Sequence, residues 1–105
     1  MIHQFSKIGR LAMIGGNTRV NTDAPPFMLI SDFNAAVKGL NLVGLKRAGF
    51  KYSDVAALKK AYQILFRSKL KLEEALARIE AQCPTPYTLH LTDFVRRSKR
   101  GICRE

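Results

Sequence analysis

Few residues in this chain are chemically reactive, and their spacing limits what they can do. The histidines, His3 and His90, stand far apart, as do the cysteines, Cys83 and Cys103. Neither pair has the short spacing of a zinc or dithiol motif. The sequence therefore predicts two free thiols, as in a reducing compartment, and no metal site. A histidine acting as general base must reach the attacking hydroxyl and needs a partner to orient it. The first carboxylate after His3 is Asp23, so the sequence offers His3 no local partner. The remaining polar chemistry is cationic. Asn41 can serve as a helix N-cap. Lys59, Lys60, Arg67, Lys69 and Lys71 make a basic run in a helical region, suited to an acidic partner or simply to solvent.

That cationic character is lopsided. The 105 residues carry a formal charge of +10. Residues 1–35 hold three basic and two acidic residues, and residues 36–105 hold 15 and six. A field of that sign attracts nucleic acid, phosphorylated small molecules or an acidic protein. No apolar run approaches the ~20 residues that cross a bilayer. The first ten residues lack the layout of a signal peptide, so a cytoplasmic chain is expected.

Two kinds of element must position these groups. Residues 2–25 divide into hexads, IHQFSK, IGRLAM, IGGNTR and VNTDAP. Each opens on Ile or Val, has a small fifth residue, and twice carries glycine second, at Gly9 and Gly15. An aliphatic residue every six positions suits a triangular coil, three short sides to a turn of parallel β-helix. The expectation is that small residues turn the corners and glycines permit positive φ or tight turns. A coil buries its aliphatics by stacking on neighbours, so four hexads read as the end of a longer solenoid. DAPPF at 23–27 ends the beat, and MLIS at 28–31 reads as one more strand. From residue 34 the pattern turns helical. A short helix is expected near 41–48, closed by Gly49. A second starts after Ser53 as N-cap, with Val55, Leu58, Tyr62 and Leu65 inward. A third carries Leu72, Leu76, Ile79 and Cys83, and a fourth carries Leu91, Phe94 and Val95. The predicted fold class is α+β: terminal β-helix coils over 1–33, then a helical domain over 34–105.

These strings also carry a resemblance. The hexads, HQF at 3–5, DAPPF at 23–27, NLVGLKRAGF at 41–50, AYQILFRS at 61–68 and TDFVRRSKRG at 92–101 fall in the order of one family. Together they closely resemble the C-terminal part of UDP-N-acetylglucosamine acyltransferases. The resemblance implies a homotrimer of left-handed β-helices, each with a helical end. It implies transfer of a 3-hydroxyacyl chain from acyl carrier protein to UDP-GlcNAc, in lipid A biosynthesis, with no cofactor. It places His3, Gln4, Asn41 and Arg47 on the UDP-GlcNAc side and Gly16 as the gauge of acyl-chain length. It assigns Lys59, Lys60 and Arg67 to the carrier protein. In that family the catalytic base is a histidine on an earlier coil, which this sequence does not contain, so the chain is expected not to turn over alone. Val43 stands where many relatives have an acid, and Ala48 where they often have a second basic residue. The competing reading is a module binding nucleic acid through RRSKRGICR at 96–104, which lacks interleaved aromatics.

Overall fold

A computed structural model of the chain describes residue 2 and residues 6–105. His3 and Gln4, two of the residues named above, lie outside the described residues. The hexad beat becomes a stacked coil. Ile2 pairs in parallel with Val20, and Ile8 with Ala24. Strand β1 (Met13–Ile14) lies parallel to β2 (Met28–Ser31), with Met13 opposite Leu29 and Ile14 opposite Ile30. The first of these pairings spans three hexads. The later ones are two residues shorter, because the step from Val20 to Ala24 is four residues rather than six. Backbone bonds tie the turns together: Gly9 N donates to Ala24 O (2.8 Å), Ala24 N to Lys7 O (2.8 Å) and Phe27 N to Arg10 O (2.8 Å).

The corners differ from expectation. The left-handed corner residues of the coil are Leu11, Asn17 and Phe27, each three positions after a stacked Ile8, Ile14 or Ala24. In the second and third hexads the fourth residue therefore turns the corner, not the small fifth one, whereas Asp23, fourth in the last hexad, is not left-handed. Gly9 is not left-handed. A Cβ on it would stand 2.6 Å from Pro26 Cα and 2.7 Å from Pro26 Cδ. Glycine is required there by the close approach of the next coil.

MLIS forms β2, but the chain does not then turn helical at residue 34. Residues Ala36–Leu40 form β3, antiparallel to β2, from Met28 opposite Leu40 to Ser31 opposite Ala36. A bulge between Leu29 and Ile30 leaves Lys38 free to pair with Asp32. Helices begin only at α1 (Leu42–Arg47). They continue as α2 (Tyr52–Tyr62), which runs into a π-helical turn at Gln63–Arg67, then α3 (Leu72–Gln82) and α4 (Pro86–Arg97).

Local chemistry sets most of these ends. Gly49, at φ 82°, follows α1 as the expected left-handed closure. Thr85 and Thr88 form a reciprocal capping box at α4, with Pro86 in its first turn. Helix α2 starts one residue before Ser53, with Lys51 at the N-cap and no side-chain cap, while Asp54 faces the positive end of the helix. Leu58, Ala61 and Tyr62 of α2, Leu76 and Ile79 of α3, and Leu91 and Val95 of α4 are buried, at helical spacing. Leu72, expected inward, is 39% exposed in the first turn of α3, and Ala75 takes the inward place. Phe94, also expected inward, is half-buried.

The helices pack onto the coil through Val20, Ala24, Met28, Ile30 and Val37, all buried. A smaller core joins Phe27, Leu45 and Leu58. There the ring of Phe27 meets Phe50 (5.9 Å), Tyr87 (6.1 Å) and His90 (5.8 Å). The chain end closes the assembly. Ile102 pairs in parallel with Asp23, and Cys103 N donates to Asp23 O (2.9 Å). Both cysteines are buried free thiols, as expected.

Candidate functional site

Asn41 is where coil and helices meet. It is the N-cap of α1, and its Oδ1 accepts from Gly44 N (3.1 Å). Its Nδ2 donates to Leu11 O (2.9 Å), at a coil corner. Its backbone N donates to Phe27 O (2.8 Å), at the corner one coil below. Asn41 is only 9% exposed. The amide thus fills the N-cap role that the sequence left open and ties the start of α1 to the coil, while one N–H and one oxygen lone pair remain beyond these two bonds. Leu45 anchors the inner side of α1. The outer side carries Leu42, Val43, Lys46 and Arg47, all exposed. Arg47 makes no ion pair among the described residues, so its guanidinium is available to an anion.

The basic run splits in two. Lys59 and Lys60 end α2, exposed and without an ion pair among the described residues. Lys69 and Lys71, in the link to α3, are likewise exposed. Arg67 is occupied. Its Nε lies 3.0 Å from Glu105, and its guanidinium stands 5.5 Å from the Tyr62 ring centre. Tyr62 donates its hydroxyl to the same carboxylate at 2.5 Å. That bond from Tyr62, followed by Arg67, holds the Glu105 carboxyl below its usual range. Burial, with the same hydrogen bond, raises the Tyr62 hydroxyl.

Gly16 is exposed on the coil flank, and a Cβ there would meet nothing within 4 Å among the described residues. Its φ is not left-handed. Among the described residues neither close approach nor turn geometry asks for glycine at 16. Next to it an open hollow of about 540 Å³ is lined by Asn17, Thr18, Arg19 and Phe33. Phe33, 65% exposed, gives the hollow its apolar side chain. Met13, in β1, is also exposed. The hexads, which end at residue 25, carried no signal for Phe33, while Met13 is legible in the second hexad as an apolar residue off the stacked position.

Other chemistry-bearing groups serve the fold. His90 sits edge-on to Phe27. A hollow of about 190 Å³ lies beside it, reached by Lys7, Asp23 and Asp93. The Asp23 carboxylate there accepts from Lys7 N (2.8 Å) and Ser98 Oγ (2.6 Å). No cluster of three metal-ligating side chains occurs among the described residues. The tail proposed for nucleic acid is bound back onto the chain. Arg96 pairs with Glu80 and Glu73, Arg97 with Asp93, and Arg100 donates to Asn21 O. No helix of the described residues is long and apolar enough to cross a membrane.

Comparison with known proteins places this arrangement. The family model described as UDP-N-acetylglucosamine O-acyltransferase, domain 2, matches residues 23–103. An acyl-[acyl-carrier-protein]–UDP-N-acetylglucosamine O-acyltransferase of Gloeothece citriformis is 44% identical over 92% of this chain and 35% of its own length. The relative of that name in Myxococcus xanthus is 41% identical over 98% of this chain and 40% of its own. Among solved structures, the UDP-N-acetylglucosamine acyltransferase of Bacteroides fragilis superposes with a TM-score of 0.95 at 36% identity, covering 98% of this chain and 41% of that one. The Arabidopsis enzyme gives 0.89 at 36% identity, covering 97% and 39%. The chain thus spans about two-fifths of the length of these relatives. Its architecture is that of their left-handed β-helix, with the helical end that follows it.

Proposed function

Because the chain belongs to the UDP-N-acetylglucosamine O-acyltransferase family and carries that family's second domain, we propose that it is the recognition end of such an acyltransferase. In this reading it helps bring a 3-hydroxyacyl chain on acyl carrier protein to the sugar hydroxyl of UDP-GlcNAc. Arg47, with His3 and Gln4 beyond the described residues, serves the nucleotide sugar. Gly16 leaves room on the coil flank for the acyl chain. Lys59 and Lys60 meet the acidic carrier protein, and the chain works as a homotrimer. The general base is assigned to the part of these enzymes that the chain does not span.

One observation supports this reading most. Arg47, Lys59 and Lys60 stay exposed with no ion pair among the described residues, while Arg67, Arg96 and Arg97 are paired. Exposed, unpaired cations such as Lys59 and Lys60 in the last turn of α2 attract an anionic partner over a distance and raise its association rate. The test is association with acyl carrier protein at low and physiological salt. The expected on-rate falls with salt, and Lys59→Glu with Lys60→Glu slows it about tenfold or more at low salt. An on-rate indifferent to both salt and these substitutions contradicts the carrier-protein role. Acyl transfer by the chain alone overturns the assignment of the base.

A further inference from the structure

Two donors beyond the middle of the chain converge on a single oxygen. Tyr62 gives its hydroxyl hydrogen to Glu105 Oε2 (2.5 Å), and Arg67 gives its Nε–H to the same atom (3.0 Å). We propose that Tyr62 and Arg67 form a cradle for a carboxylate, that Glu105 fills it as an internal stand-in, and that an acidic side chain of the carrier protein displaces Glu105 on docking. This rests on the carrier-protein reading above and adds to it a site and the contact that occupies it. The winding of the chain builds the cradle. Residues five apart on an α-helix are about 1.4 turns apart and face different sides. The turn at Gln63–Arg67 is π-helical, with backbone bonds that span five residues, so position 67 comes back over position 62. The Arg67 guanidinium accordingly stands 5.5 Å from the Tyr62 ring centre. Tyr62 belongs to the buried core, which holds its hydroxyl in place.

The segment that carries Glu105 is seated without its side chain. Asp23 N donates to Gly101 O (2.9 Å), Cys103 N to Asp23 O (2.9 Å) and Val37 N to Arg104 O (2.8 Å). Ile102 and Cys103 are buried. The Glu105 carboxylate is the replaceable part. Arg67 meets it through Nε alone among the described residues, and the Arg67 side chain is 62% exposed. Exposed ion pairs of that kind stabilise a fold little. An incoming carboxylate can pair with two guanidinium nitrogens at once, a stronger contact than the one it displaces. Lys69 and Lys71 follow in the link to α3, both exposed, and favour an acidic partner there.

The test measures the affinity of the full chain for acyl carrier protein by titration, with wild type, Glu105→Ala, Arg67→Ala and the double variant Glu105→Ala/Arg67→Ala. Emptying the cradle with Glu105→Ala is expected to tighten binding about three- to tenfold, as release of a site filled most of the time requires. Arg67→Ala should weaken it. Once Arg67 is alanine, Glu105→Ala should change affinity by less than about twofold, because its effect runs through Arg67. On adding the carrier protein to wild type, the Glu105 amide and the Tyr62 ring resonances should shift, while the amides of Val37 and Cys103 stay. Glu105→Ala binding like wild type or weaker, Arg67→Ala binding without loss, or a gain from Glu105→Ala equal in both backgrounds, as a general charge effect would give, overturns the cradle. If Lys59→Glu with Lys60→Glu still slows association in that case, the carrier-protein reading stands without it. No binding by wild type and Glu105→Ala alike overturns both. Where Glu105→Ala unseats the tail, seen as moved Val37 and Cys103 amides in the free protein, Glu105→Gln removes the charge at nearly constant shape and decides the question alone, with the same expected gain and the same dependence on Arg67.

Discussion

Replacing Gly9 by alanine tests the coil account most severely. The added methyl would meet three atoms of Pro26, all backbone or ring, with Cα at 2.6 Å and Cδ at 2.7 Å. An ordinary carbon contact lies near 3.5–4.0 Å, so the coils must part by about 1 Å. Overpacking of that kind costs about 1–3 kcal/mol. The separation also stretches the bonds from Gly9 N to Ala24 O and from Phe27 N to Arg10 O, each worth about 1 kcal/mol. The expected loss is about 3–5 kcal/mol, a large share of the roughly 5–15 kcal/mol of a domain this size. The neighbouring glycines provide the scale. Gly15→Ala meets Ser31 Cβ at 3.1 Å as its one tight neighbour, with Ile30 O and Thr18 Oγ1 at an ordinary 3.6 Å, and should cost about 1 kcal/mol or less. Gly16→Ala meets nothing within 4 Å among the described residues and should stay within about 0.5 kcal/mol of wild type. Urea denaturation followed by far-ultraviolet circular dichroism ranks the three. Equal effects at 9 and 16 would refute close approach as the reason for glycine at 9.

Other expectations concern the chain end, the caps and the thiols. The Glu105 carboxyl lies below its usual value near 4.5 through its bond from Tyr62 and then through Arg67. Its contribution to stability is therefore complete above that value and is lost as pH falls through the lowered one. Glu105→Gln should flatten part of the acid limb of a stability–pH profile; an unchanged limb argues against the network. Thr85→Ala removes the acceptor for Thr88 N and one half of the capping box. Its expected cost is about 1 kcal/mol in the same denaturation assay. Burial raises the thiols of Cys83 and Cys103. Both should resist a disulfide reagent near neutral pH in the native state and react on unfolding; rapid native labelling would contradict their burial.

The sequence carried the repeat and most helix ends in local signals. Stacked aliphatics at Ile2, Ile8, Ile14 and Val20 are visible as a beat, and Asn41, Gly49 and Pro86 mark ends through their own backbone chemistry. What escaped depends on distant partners. The four-residue step from Val20 to Ala24 breaks the beat where the returning tail pairs with Asp23, and nothing near residue 23 announces Ile102. Strand β3 lacks clear alternation, since Lys38 occupies a bulge, and it is a strand because β2 lies beside it. Leu11 and Phe27 adopt positive φ against their own preference because coil stacking requires a corner there. At the candidate site, Arg47, Lys59 and Lys60 were legible as exposed cations. The capture of Arg67 by Glu105 was not, because those residues lie 38 positions apart.

The most direct measurement is a pair of titrations of the isotopically labelled chain, one with UDP-GlcNAc and one with acyl carrier protein, followed by amide chemical shifts. The account predicts that the nucleotide sugar perturbs residues 42–47 and that the carrier protein perturbs the end of α2 around Lys59 and Lys60. Perturbations from either ligand confined to residues 96–104, or no perturbation by either, would contradict it.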